Sequence, residues 1–441
     1  MTELSGHFNL KRLLGFTLPS VIMLIFTSVY GIVDGYFVSN YAGKTPFAAV
    51  NFIMPVLMIL GCIGFMFGTG GGALIAKTMG EGESKKANEI FTLIVAVSAA
   101  CGVVLSVLGI IFLPRLAELF GADGQLLENS VTYSRIILAA LPFYILQFEF
   151  QCLFATAGKP RLGLIVTSAA GIANMVLDAL LVAVFPFGLK GAAAATAISQ
   201  FLGGTIPLLY FCRKNNSLLR FVKCRFDKKV LLKTCTNGSS ELMSNISMSV
   251  VSMLYNVQLM KYAGENGIAA YGVLMYVSMI FQAVFIGYAV GSAPIISYNY
   301  GAGNKAELKS LLKTSAAFMA VCALIMFAAG ELLSKPLSLL FVGYDKELHG
   351  ITVHAFSIFS FSFLLSGFAI FGSSFFTALN DGFTSAAISF LRTLVFQIAA
   401  VLIFPLFFKL DGIWFSIVAA EIMAVCVTLL FLAIKRKKYG Y

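Results

Sequence analysis

Tyr41-Ala42-Gly43-Lys-Thr-Pro-Phe-Ala48-Ala49 returns as Tyr262-Ala263-Gly264-Glu-Asn-Gly-Ile-Ala269-Ala270, a constant 221 residues further on. Gly70, Ile75, Gly80 and Gly82 return at the same offset as Gly291, Ile296, Gly301 and Gly303, and 13 of the 49 ungapped pairs from Tyr41 to Glu89 are identical. A hydrophobic chain built twice from one unit is the pattern of secondary transporters, which place a site between or within their repeats. The two copies differ in chemistry: Asp34 faces Tyr255 and Asp178 faces Ala399. The carboxylates lie in the first copy, so the coupling machinery is expected there.

Outward from the repeat, composition sets the class. The 441 residues are 59% hydrophobic and 12% charged, with mean hydropathy +0.90, the composition of a polytopic helical membrane protein. The net charge of +11 does not indicate nucleic acid, because the basic residues sit in short connections between apolar spans. The eight cysteines show no CxxC pair or metal-ligand spacing and read as small core residues. Residues 1–13 are short and polar, and the first apolar run is long enough to span, so no cleaved leader is expected.

Runs of about 20 apolar residues place twelve spans near 14–40, 47–77, 90–113, 129–156, 162–186, 190–212, 235–262, 268–299, 310–333, 351–378, 383–408 and 411–434. The expected fold is an all-α membrane protein with two six-helix lobes related by a pseudo-twofold axis along the membrane normal. Residues 1–212 form the N-lobe, 213–234 a basic linker and 235–441 the C-lobe. Lys11, Arg12, Lys77, Lys85, Lys86, the linker and Lys435 to Lys438 gather on one side, which predicts a multi-pass cell-membrane protein with both termini cytoplasmic.

Ionisable groups inside spans are costly and mark function by default. Asp34 lies in the outer third of the first span, above a stripe of Tyr30, Thr27, Met23 and Ser20 that ends near Pro19. Pro19 removes one backbone hydrogen bond and permits a bend. Asp178 falls at the same depth on the fifth span, one turn from Asn174, and Thr196 of the sixth span reaches that depth. Two carboxylates with amide and hydroxyl partners suit a proton or sodium site, and such a set also suits static helix packing. Glu241, Asn245, Ser249, Ser252 and Asn256 share one face of the seventh span. Glu149, Arg392 and Glu421 lie inside spans with no assigned role, Arg392 either pairing with a glutamate or snorkelling. Gly68-Thr-Gly-Gly-Gly-Ala-Leu-Ile-Ala-Lys-Thr78 imitates a phosphate loop, but Ala76 stands where glycine is required and the stretch ends a span; its glycines are expected to admit close helix contact. No hydrolytic triad or metal cluster is seen, so the chain reads as a non-enzyme without cofactor.

With these residues in place, the chain resembles the multidrug and toxic compound extrusion (MATE) transporters over essentially its whole length. Gly80-Glu-Gly82 and Gly301-Ala-Gly303, Ala157-Gly-Lys-Pro160 and Gly188-Leu-Lys-Gly-Ala-Ala-Ala-Ala-Thr196 carry the likeness. Pro19, Tyr30, Asp34, the Asn174-x-x-x-Asp178 pair and Thr196 are similar to bacterial members with an N-lobe carboxylate site. The resemblance implies H+ or Na+ binding at Asp34, Asn174, Asp178 and Thr196, with small organic cations contacting Tyr30, Thr27, Met23, Asp34 and Asp178, and gating at Pro19. It implies a lipid-embedded antiporter working by alternating access, expected as a monomer. The alternatives are a lipid-linked-precursor flippase of the same superfamily and a receptor that does not transport.

Overall fold

The computed structural model describes residues 4–185, 187–343 and 345–441, which are helical with no strand. Thirteen α-helices follow in chain order: α1 (Leu10–Phe37), α2 (Lys44–Gly80), α3 (Ser84–Leu119), α4 (Gly124–Ala139), α5 (Leu141–Thr156), α6 (Pro160–Asp178), α7 (Gly188–Cys212), α8 (Lys228–Gly301), α9 (Lys305–Val342), α10 (Lys346–Phe359), α11 (Phe363–Ala378), α12 (Gly382–Phe390) and α13 (Phe396–Tyr439). Among the described residues, nine helical stretches are long and apolar enough to cross a membrane, and α4 with α5 makes a tenth bent by 59°. Large apolar side chains such as Leu119, Leu332 and Phe383 stand more than three-quarters exposed, a surface stable only against lipid. The protein is a multi-pass membrane protein.

The helices overrun the apolar runs at most ends, because hydropathy sees only the hydrocarbon thickness while the backbone continues into the interface. The third predicted span stops at residue 113, yet α3 continues through Pro114 to Leu119. The fourth predicted span is broken at Ala140, whose ψ of −1° departs from the helix just before Pro142, a residue with no N–H to continue the ladder. Helix α8 joins two predicted spans through Gly264 (φ 61°), and α13 joins two more through Lys409 (φ 52°). These joints answer to Gly43 (φ 104°) and Gly188 (φ 56°), each 221 residues earlier. The second copy therefore holds a lysine in a conformation that its counterpart gives to glycine.

Without a hydrophobic drive between helices in lipid, close packing holds them together. A Cβ at Gly80 would collide with the Tyr298 carbonyl, and one at Gly301 with the Lys77 carbonyl. A Cβ at Gly70 would strike Thr234 and Gly238 on α8, while one at Gly291 of α8 would press on Thr17 of α1. Each pair maps onto the other when residues 221 apart are exchanged. The expected role of the Gly68–Thr78 stretch in close helix contact is thus observed.

Polar connections fasten the ends. The Phe8 amide donates to Glu307 Oε1 and His7 Nδ1 meets Glu307 Oε2, both at 2.8 Å, joining the segment before α1 to α9. In the linker, the Arg220 amide donates to Asn88 Oδ1 at 2.6 Å, and Phe221 stacks on Phe91. At the other end of the chain, the Tyr439 hydroxyl donates to Asp381 Oδ2 at 2.7 Å and Lys435 Nζ lies 3.2 Å from the same oxygen. Burial pushes the Asp381 carboxyl up, but Tyr439, Lys435 and Thr384 outweigh it and hold the group below its ordinary range.

Two outcomes follow. Lys409→Gly relieves left-handed strain and is expected to raise stability by about 1 kcal/mol, read as a higher unfolding midpoint in detergent. Because the folded Asp381 pKa lies below its unfolded value, the tail contact is fully present above the ordinary carboxylate pKa and weakens as pH falls through the lowered one. The protection factors of residues 435–439, exchange rates corrected for the intrinsic pH dependence of amide exchange, should fall on acidification in the wild type and be low and independent of pH in Asp381→Asn.

Candidate functional site

Asp34 and Asp178 come together deep inside the first-copy helices. Asp34 is buried near the top of α1, and Asp178 closes α6 with no exposed surface. The Thr196 hydroxyl of α7 donates to Asp34 Oδ1 at 3.5 Å. Asp34 and Asp178 face each other across the gap between α1 and α6, close enough for one shared proton to bridge them, and without that proton neither Asp178 oxygen finds a donor. Asn174 is buried one turn below Asp178, and its Nδ2 also has none. Unpaired polar atoms at such burial are costly and rare. No basic side chain forms an ion pair with either carboxylate among the described residues. The arrangement is short of positive charge and of hydrogen-bond partners, which a cation supplies.

Local backbone geometry shapes the site. A π-helical turn, Val38–Ala42, follows α1, and the Val38 amide donates to the carbonyls of both Asp34 and Gly35. A second, Ala179–Val184, starts directly after Asp178. Such turns shift the following helix relative to a straight one and recur at functional sites.

Of the stripe on α1, Tyr30 packs its ring against Gly171 of α6, where a Cβ would overlap it. The Thr27 hydroxyl donates to the Met23 carbonyl at 2.9 Å, and Met23 is buried with Leu24 and Ala283 of α8. In this state Met23 and Thr27 therefore point into packing, while Tyr30 remains at the carboxylates. Pro19 lies inside the continuous α1, where the neighbouring Ser20 and Val21 abut Gly287 of α8.

Two residues of the site escaped sequence reading. Tyr133 of α4 is buried beside Asp34 and Thr196, and Gln147 of α5 approaches Tyr30. A signal exists for both: Ser130, Tyr133, Ser134 and Ile137 form a buried helical stripe, and Gln147, Glu149 and Gln151 are polar residues in an otherwise apolar, wholly buried stretch.

The second copy shows what the same frame does without carboxylates. Tyr255, in the place of Asp34, donates to Gln397 Oε1 at 2.7 Å and stacks on Tyr271 with rings 5.4 Å apart. That position is satisfied and filled. Three of the remaining intramembrane charges find partners. Arg392 lies in a third π-helical turn, Leu391–Val395, and grips Glu421 through Nε (3.0 Å to both oxygens) and Nη2 (2.8 Å). Glu149 accepts a very short hydrogen bond from the Ser98 hydroxyl.

A membrane-embedded helical bundle with a buried carboxylate pair defines the general class, and comparison with known proteins gives the family. The sequence model described as MatE matches residues 19–180 and again 242–403, more than half of the chain, and the protein belongs to the MatE family. Similar curated proteins include the multidrug export protein MepA of Staphylococcus saprophyticus, 25% identical with 97% of this chain and 94% of that protein covered. MepA of Staphylococcus haemolyticus is 26% identical, with 95% and 92% covered. Among solved structures, a MATE transporter in complex with MaL6 superposes with a TM-score of 0.94 at 22% identity, covering 99% of this chain and 98% of that one. A superfamily transporter of Pyrococcus furiosus, described as having reversed binding-pocket polarity, superposes with a TM-score of 0.92 at 22% identity, covering 100% and 98%. The solved structures share the fold.

The buried ion pair carries a prediction. Glu421→Ala leaves Arg392 uncompensated and is expected to cost about 3 kcal/mol. The double variant Arg392→Met/Glu421→Leu should recover most of that loss, as read by denaturation in detergent.

Proposed function

We propose that this protein is a cation-coupled antiporter that extrudes small organic cations of several kinds, with H+ or Na+ exchanged at Asp34, Asn174, Asp178 and Thr196. The observation that carries the reading is the pair of buried carboxylates, with no basic side chain ion-paired to either among the described residues and with Asn174 Nδ2 unpaired beside them. The names of the MepA relatives support multidrug export. Breaking the long helices at Gly264 and Lys409, and counting α4 with α5, α10 with α11 and α12 with the first part of α13 as single spans, supports twelve spans in two six-helix lobes. The exchange of glycine contacts between copies supports a pseudo-twofold axis between the lobes. In this reading both termini face the cytoplasm, the chain lies in the cell membrane, and it works as a monomer.

Exchange follows from competition for charge. Two carboxylates at this depth do not remain ionised and bare. Either coupling ions neutralise them or an organic cation does, seated against Tyr30 and, once α1 moves, Thr27 and Met23. Ion entry from outside discharges the drug. The lower half of α1 abuts α8 through Gly287 and Gly291, and the upper half abuts α6 through Gly171. Pro19 lets the two halves change angle, because its missing amide removes one rung between them. The differential affinity of the site for the two cations drives the cycle.

In proteoliposomes with pH and Na+ gradients imposed separately, efflux of a fluorescent organic cation is expected to be driven by one of them and to be abolished in Asp34→Asn. Wild-type efflux by folded Asp34→Asn would refute the coupling role.

A further inference from the structure

A cavity of ≈140 Å³ lies between the two copies, lined by parts of α2, α5, α8, α11 and α12 and the π-helical turn after α12. It does not include Asp34 or Asp178. Glu241, Ser244, Asn245, Gln282, Ser373 and Arg392 give it its character. The Glu241 carboxylate makes no hydrogen bond and no ion pair among the described residues; only its backbone carbonyl is engaged, by Asn245 Nδ2 at 2.8 Å. Arg392 acts on Glu241 electrostatically, but its hydrogen bonds go to Glu421. Arg392 is matched by Glu421, so Glu241 has no basic partner of its own among the described residues.

The walls are rich in acceptors. Gln282 Nε2 is spent on Ser278 Oγ at 2.9 Å, which turns its Oε1 free, as Asn245 Oδ1 is free once Nδ2 is used. The Ser244 hydroxyl donates to the Ser240 carbonyl at 2.8 Å, so its oxygen is left to accept. A carboxylate, two amide oxygens and a hydroxyl oxygen call for a ligand with several N–H donors and one positive charge. An apolar cavity of about 150 Å³ holds benzene, so the ligand here is similarly compact.

We propose that this cavity is a binding site for a small primary ammonium ion bearing a hydroxyl group, anchored on Glu241 and independent of the Asp34–Asp178 pair. The N–H donors bind Glu241, Asn245 and Gln282, and the ligand hydroxyl bonds the serines. The class differs from bulky aromatic cations, for which a cavity of ≈140 Å³ is too small.

Equilibrium dialysis of radiolabelled ethanolamine against the purified full-length protein tests this. Saturable binding is expected for wild type and equally for Asp34→Asn, with Glu241→Gln weaker by about tenfold or more, the loss of a charge-assisted hydrogen bond. Choline, similar in charge but without N–H donors, should bind more weakly than ethanolamine. Undiminished binding by Glu241→Gln, no saturable binding by wild type, choline binding as well as ethanolamine, or preference for the lactate anion would each overturn the proposal. Loss in Asp34→Asn but not in Glu241→Gln would overturn it while leaving the carboxylate-pair reading intact. If Glu241→Gln does not elute as a single species, the unsubstituted protein serves. Cys152 lines the cavity, so ethanolamine should slow its modification by methyl methanethiosulfonate, followed by mass spectrometry at that residue. Choline should slow it less, and an unchanged rate overturns the assignment.

Discussion

Backbone polar groups in lipid must be satisfied within the chain, and every other feature of this protein depends on that constraint. It dictates helices, and helices in lipid cohere only where their surfaces come close. The closest approaches run along α2 and α8. Gly64 and Gly68 of α2 meet the backbone of α5, Gly70 meets α8 near Gly238, and Gly80 and Gly301 meet the opposing carbonyls of Tyr298 and Lys77. Each of these glycines sits where a Cβ would displace a backbone. Their placement at one face and at the inner ends fixes how the two copies lean together, and so where a cleft remains between them.

Within that frame the two copies use equal geometry for unequal chemistry. At the position shared by Asp34 and Tyr255, the second copy completes a hydrogen bond to Gln397 and an aromatic stack. It needs nothing further. The first copy brings Asp34 to Asp178 and Asn174 and leaves the atoms of the latter two unpaired. Leaving a carboxylate in such a place costs several kcal/mol, more than ordinary packing returns, unless a cation arrives. Arg392 and Glu421 show the contrasting solution, in which charge at membrane depth is closed by a partner on a neighbouring helix. The same chain thus contains satisfied and unsatisfied intramembrane charge, and of the acidic groups Glu241 lines the cavity between the copies while Asp34 and Asp178 lie buried together away from it.

Much of this was legible from residue types. The offset between copies, the membrane class, the close-packing glycines and the depth of Asp34, Asp178 and Thr196 all follow from spacing that helical geometry reads out directly. Other features depend on tertiary partners. Met23 and Thr27 share the face of Tyr30 on a helical wheel, yet α8 covers Met23 and the Thr27 hydroxyl turns to its own backbone. Arg392 had two possible acids, and only the packing of α13 against the turn after α12 selects Glu421. The break at Ala140 was masked because the residues on both sides are apolar, leaving Pro142 as the sole mark. Tyr133 escaped because a phenol on a buried stripe reads as core until its neighbours are known.

The π-helical turns are the part that no periodicity reveals, and they join chemistry to shape. Asp34 belongs to the last turn of α1, and its carbonyl accepts the Val38 amide at the point where the α-helical ladder gives way to the wider turn. Asp178 is the residue after which the same change occurs in α6. Such wider turns are rare inside α-helices and recur at functional sites. On the proposed reading, the side chain that takes a cation and the backbone that switches register belong to the same residue at Asp34, and to adjacent residues at Asp178. A change of charge there needs no long route to reach the helix axis. The third such turn carries Arg392, whose ion pair with Glu421 holds it from outside. Among the described residues no ion pair holds the two turns of the first copy, so on the proposed reading they are the ones that respond to an ion.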